Sequence, residues 1–242
     1  MSDMMKLMDE FTVEGPLLSG KFDLFGFQVE IAESVVVQLV VMVILGVLFF
    51  ILGRNLKVEP TSKRQMAAEY IVGLFSGMVK DTMGEKYKNY TPYIGALFCF
   101  SIISSLMGLL GLRAPTADLS VVGTWAAITF VLTIINKFKT GGVKGYLKSF
   151  IEPMPFMLPF NIIGDIANPV AQALRHFANI LAGMVIGGLV YYALGQFALG
   201  LFSIGIPAVL SLYFDLFSSF IQAYIFVTLT MAYVAMAECG DE

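Results

Sequence analysis

The chain has 242 residues, 57% of them hydrophobic and 14% charged, with a net charge of −3 and a mean hydropathy of +0.80. Soluble domains run near 45–50% apolar and about 25% charged, so this composition excludes an ordinary water-soluble protein and fits one membrane-embedded bundle. No basic stripe lies outside the segments between the apolar runs, which argues against a nucleic-acid partner.

The N-terminal segment, residues 1–33, carries Asp3, Asp9, Glu10, Glu14 and Asp23 and has no continuous apolar core. A cleavable signal or an Arg-rich transit peptide is not expected there. Residues 34–52 form an almost unbroken apolar run, interrupted by Gln38 and closed by Arg54 and Lys57. That is the length a first span needs. Residues 61–83 are amphipathic, with Ser62 and Gln65 at capping-box spacing and Met66, Tyr70, Ile71, Leu74, Met78 and Val79 at helical spacing. This pattern predicts a helix lying in the membrane interface.

Residues 92–112 and 119–135 are the next two spans, joined by "RAPTADLS". A basic, glycine-containing loop, "NKFKTGGVKGYLKSF", and an irregular proline-rich "EPMPFMLP" are expected to follow. Two long apolar helices complete the chain. In the first, residues 165–194, Asn168 is the expected cap and Pro169 the first helical position. The second covers residues 207–237. Counted from Pro169 and from Pro207, they reach roughly 39 Å and 46 Å, against a hydrocarbon core of about 30 Å, which permits strong tilt.

The predicted fold is therefore all-α and polytopic, a single membrane domain of about five embedded helices plus the interfacial helix. Arg54, Lys57, Lys63, Arg64, Lys80, Lys86 and Lys88 fall in one inter-span segment, and Lys137, Lys139, Lys144 and Lys148 in another. Basic residues mark the cytoplasmic side, so the N-terminus is expected outside and the C-terminus inside.

The chemistry-bearing residues lie within the apolar helices. Asn168, Gln172, Arg175 and Asn179 follow i, i+4, i+7, i+11 spacing and form one stripe. A charge at mid-bilayer costs at least about 2.5–3.5 kcal/mol, so Arg175 needs a partner or a water-filled cavity. On the last helix Asp215, Ser219 and Gln222 share a face, with Asp215 about 12 Å along from Pro207. Asp118 in the outer connector and Asp165 at the start of the arginine helix bring acids toward Arg175 from both membrane faces. Two aqueous vestibules meeting at a positive barrier would explain this. A structural ion pair for Arg175, a turn acid at Asp118 and a helix N-terminal acid at Asp165 are the plainer readings. His176, the single histidine, is assigned chiefly to packing, with proton handling as the alternative.

Cys99 and Cys239 lack metal-like spacing. With no phosphate loop, zinc set or nucleophile–base motif, neither a cofactor nor enzymatic chemistry on a covalent bond is expected.

"LRHFANILAG" resembles the arginine signature of subunit a of F-type ATP synthases. "FDLFSSFIQAYIFVTLTMAYVAMA" is similar to that family's final helix, and "LMGLLGLRAPTADLSV" to its outer loop. The resemblance runs in order from the first span onward. It implies two long tilted helices against a ring of c subunits, a peripheral stalk subunit b and a complete ATP synthase in a bacterial cell membrane. It places Arg175 at the essential arginine, Asn179 and Gln222 at the family's amides and Asp215 at its acid. The translocated ion would be H+ or Na+.

This chain departs from the pattern at His176 (a usual leucine), Ala178 (glycine), Ser120 (asparagine) and Met184 (glutamate or histidine). Two rival readings are a secondary transporter clamping a small anion with Arg175, and a structural scaffold.

Overall fold

A computed structural model describes residues 20–24, 27–31, 33–57, 62–110, 112, 114–151, 154–196 and 212–237. Residues 1–19, Arg113, Pro207 (where the last helix was expected to begin) and the C-terminal "ECGDE" lie outside them, as do the side chains of Met184 and Asp215.

A short antiparallel hairpin, β1 (Gly20–Leu24) and β2 (Phe27–Ile31), precedes the helices, and among the described residues no other strand follows. The helices are α1 (Glu33–Gly53), α2 (Lys63–Met83), α3 (Thr91–Leu106), α4 (Leu119–Ile151), α5 (Leu158–Gln196) and α6 (Ser219–Met236). The all-α, multi-pass expectation holds. Four helical stretches among the described residues are long and apolar enough to cross a membrane: Glu33–Gly53, Leu119–Ile151, Pro155–Val190 and Leu216–Met236. The α-helical part of α3 has 16 residues, about 24 Å, and the 3-10 turn Met107–Leu110 adds about 8 Å.

Local expectations fail where short polar signals were read too literally. The basic loop is helical. α4 runs through it and is broken only at Gly142, whose φ of 60° and ψ of −170° suit glycine alone. α5 begins at Leu158, with Pro159 in its first turn and Pro169 inside it. The Asn168–Pro169 pair mimics a helix start, but the helix continues through it, with α5 packed against α4 on either side. Proline has no N–H, so the Asp165 carbonyl lacks its helical donor.

The capping box is also absent. Ser62 makes no side-chain cap bond. Gln65 is buried instead, accepting from the Lys57 N–H at 3.0 Å and donating to the Lys57 carbonyl and the Glu69 carboxylate. On α2 the expected apolar face stays largely exposed at Met66, Tyr70 and Leu74, while Phe75, Val79 and Met83 are buried. Phe75 lies against Gly95 and stacks edge-on with Phe98, which meets Phe220 of the last helix at 5.6 Å.

The main core joins Val79, Ile94, Leu97, Val122, Trp125, Ala173, Phe226, Val227 and Val234. A smaller cluster of Val37, Val41, Leu45 and Met107 seats α1. These aliphatic and aromatic side chains fix α4, α5 and α6 against one another. That packing positions the polar residues.

Candidate functional site

Arg175 stands on the exposed side of α5, and among the described residues it has no hydrogen bond or ion pair. The next residue points the other way. His176 is fully buried, edge-on to Trp125 at 5.9 Å and to Phe226 at 5.6 Å, and neither ring nitrogen has a hydrogen-bond partner. Successive residues 100° apart on a helix divide in this way. His176 thus belongs to the packed face.

The expected stripe lies along the seam between the packed and open faces of α5. Asn168 and Arg175 are exposed, Asn179 is half-buried and Gln172 is buried. Gln172 donates to the Phe226 carbonyl and to the Thr230 hydroxyl, each at 2.9 Å. Thr230 in turn meets Thr129 of α4 at 3.2 Å. Asn179 and Ser218 bond to each other at the opposite flank of Arg175. Buried polar groups need such partners, since an unsatisfied one costs about 1–3 kcal/mol.

On α6, Ser219 and Gln222 are both buried. Asp215 lies in a wider π-helical turn, Leu212–Ser218, that leads into it. Asp118 accepts from the Ser120 N–H and from the Ser34 hydroxyl, both at 3.0 Å. It therefore caps α4 and joins the first turns of α1 and α4. Near this end Ser101, Ser104, Ser105 and Thr116 are also buried. The three serines occupy i, i+3 and i+4 of a span, a pattern legible in the sequence.

Asp165 is not a helix N-terminal acid, because α5 starts seven residues earlier. Its Oδ2 lies 2.5 Å from Lys137 Nζ, with both side chains largely shielded from solvent. Beside them is a cavity of about 120 Å³ lined by Thr133, Lys137, Asp165, Asn168, Pro169 and Tyr233 among others. Asn136 closes the neighbouring layer, donating to the Tyr87 hydroxyl and to the Val234 carbonyl at 2.7 Å each. Lys137, Thr129, Thr230 and Asn136 were not singled out from sequence. Thr129, Thr133 and Asn136 at i, i+4 and i+7 are a signal that points to the two on α4, Thr129 and Asn136, with Lys137 next in sequence.

The chain is 35% identical over 250 residues to "ATP synthase subunit a, sodium ion specific" of Propionigenium modestum, covering 97% of this chain and 81% of that protein. It is 32% identical to "ATP synthase subunit a" of Lysinibacillus sphaericus, over 94% of this chain and 98% of the relative. A third relative, "ATP synthase subunit a 1" of Crocosphaera subtropica, is 32% identical over 86% and 87% of the two chains. The family model described as ATP synthase A chain matches residues 35–235, and the protein belongs to that family.

Proposed function

We propose that the protein is the ion-translocating stator subunit of an F-type ATP synthase membrane sector. In this reading it provides two aqueous half-channels to and from carboxylates on a rotating c-ring, with Arg175 as the gate between them. The carrying observation is the placement of Arg175: a guanidinium without a partner among the described residues, on an exposed face of an apolar helix, flanked by amides that are tied into the bundle.

A guanidinium keeps its charge throughout the physiological range. A ring carboxylate arriving beside it is favoured in its charged form, because an opposite charge lowers a carboxyl pKa. Away from Arg175 that carboxylate must be neutralised before it faces lipid, where a bare charge is expensive. It therefore releases its ion toward one vestibule and reloads from the other. The same positive charge repels cations that would leak straight across.

The cavity at Lys137, Asp165 and Asn168 is the mouth of the cytoplasmic half-channel, with Gln172 between it and the gate. Asn179, Ser219, Gln222, Asp215 and Asp118 belong to the outer one. His176 packs the helix that carries the gate. The translocated ion is H+ or Na+; the Propionigenium relative is named as sodium-specific. The partners are the c-ring, peripheral stalk subunit b, the rest of the synthase and membrane lipid. The N-terminus is outside and the C-terminus cytoplasmic in a bacterial inner membrane.

Native mass spectrometry of the protein extracted gently from its own membrane tests the assembly. Copurification with a ring of small subunits, a stalk and a soluble head is expected. An intact monomer or homodimer that binds a small anion would instead favour the transporter, with Arg175 as a substrate clamp.

A further inference from the structure

We infer that Lys137 is a positioning residue of the cytoplasmic half-channel, holding the Asp165 carboxylate in the wall of its mouth beneath a cover made by Tyr146 and Phe150. The inference rests on the half-channel reading and names one residue that its inner vestibule requires.

The Lys137 ammonium is enclosed by groups from two helices. The Asp165 carboxylate of α5 lies 2.5 Å from it. The rings of Phe150 and Tyr146 stand 5.4 and 6.0 Å from it, within cation–π range. Both rings come from beyond the Gly142 break, and Tyr146 packs on Phe138 at 4.5 Å and on Phe150 at 4.9 Å. Phe150 is itself tied to α5, since its carbonyl accepts from the Asn161 amide at 3.0 Å. The turn at Gly142 thus lays two aromatic rings over the outer side of an ion pair whose inner side borders the cavity.

The cavity of about 120 Å³ has polar side chains in its wall and is well above the ~10–15 Å³ that a single water needs. Pro169 lines it too. Asp165 stands ten residues before Arg175, roughly 15 Å along the helix. A carboxylate on a two-torsion side chain is an effective way-station only if it is held at one place. Lys137 restrains it from α4, and the rings restrain Lys137. An ordinary surface pair is too weak and too well solvated to hold either side chain in place. This pair is shielded, stacked and built into a cavity wall.

The test uses the whole synthase, reconstituted in liposomes and stripped of its soluble head. Passive H+ and Na+ flux is driven by a potassium diffusion potential and normalised to assembled complex. Lys137→Met is expected to lower the flux several-fold at normal assembly. Lys137→Gln, which keeps hydrogen bonding without charge, decides the point if the methionine variant does not assemble. Lys137→Arg should retain most of the flux, and Lys137→Asp combined with Asp165→Lys should conduct better than either change alone.

Parental flux in both neutral variants, a loss that merely follows lost assembly, or an exchange no better than its single changes would overturn the inference. Arg175→Ala, measured in parallel as ATP-driven pumping with the head retained, separates the two levels. Normal pumping in that variant would sink the half-channel reading itself. Loss of pumping there with parental flux in the Lys137 variants would remove Lys137 alone.

Discussion

Asn179 and Ser218 hold each other by two hydrogen bonds, 2.8 Å from the Asn179 amide to the Ser218 hydroxyl and 3.0 Å from that hydroxyl to the Asn179 carbonyl oxygen. The pair ties α5, one turn beyond Arg175, to the end of the wide turn that enters α6. Ser218→Ala leaves a half-buried amide without its partner and is expected to destabilise the complex by about 1 kcal/mol. Asn179→Leu combined with Ser218→Ala should cost less than the sum of the two single changes. A double-mutant cycle on thermal denaturation of the detergent-solubilised complex checks this, and simple additivity would argue against the pairing.

Gln172 and Thr230 give a second, deeper pair with the same logic. Gln172→Leu removes the bonds to the Phe226 carbonyl and the Thr230 hydroxyl, at about 0.5–1.5 kcal/mol each, while that hydroxyl keeps the Phe226 carbonyl and Thr129 as partners. Adding Thr230→Val should cost less than the two single changes together, because the Gln172–Thr230 bond is lost in both. Thermal melting of the three variants distinguishes the cases. If the double variant melts lowest by the full sum, the two side chains do not act together.

His176 makes the opposite prediction. Its ring is surrounded by Trp125 and Phe226 and neither nitrogen is bonded. His176→Leu keeps apolar volume and removes unsatisfied polar atoms, so the melting temperature should stay level or rise and ATP-driven pumping should persist. His176→Ala opens a cavity, and large-to-small core changes of this kind cost about 2–5 kcal/mol. Loss of pumping in a well-assembled His176→Leu complex would restore the histidine as a proton-handling group.

Gly142→Ala tests the break in α4. Nothing lies within 4 Å of the position an added Cβ would take, so crowding is not the issue. The backbone conformation is, at about 1–3 kcal/mol for a residue with a side chain. The segment carrying Tyr146 and Phe150 should lift from Lys137, raising the rate of limited proteolysis between residues 143 and 151. Unchanged cleavage would mean that the turn is set by something other than glycine.

Arg175→Ala should abolish ATP-driven ion pumping while leaving assembly intact, because the exposed guanidinium contributes no hydrogen bond or ion pair to the described fold. Blue-native electrophoresis and pumping assays on the same membranes read the two quantities separately. Joint loss of assembly and pumping would assign Arg175 to structure.

What could be read from the sequence follows from the range of the interactions involved. The stripe through Asn168, Gln172, Arg175 and Asn179 repeats at the pitch of one helix, so local spacing was enough. The Lys137–Asp165 pair joins residues 28 positions apart on two helices, and the glycine pair Gly141–Gly142 made the intervening stretch look like a loop. Of that pair only Gly142 has a positive φ. The Asn168–Pro169 signal misled for a related reason: cap residues report local preference, and packing of α4 against α5 overrides it. Gln65 was assigned to Ser62 three residues away and in fact binds Lys57. Short-range rules named the right residue and the wrong partner.

Gln172 and Asn179 lie three residues before and four after Arg175, and each is fastened to the α6 side of the bundle. A sideways load applied at Arg175 is therefore carried like that on a shaft supported at both ends. Neither end can roll without breaking hydrogen bonds. A helix anchored on one side of Arg175 alone could twist under such a load, whereas one anchored on both sides would stay in register if, as proposed, a ring carboxylate passes it.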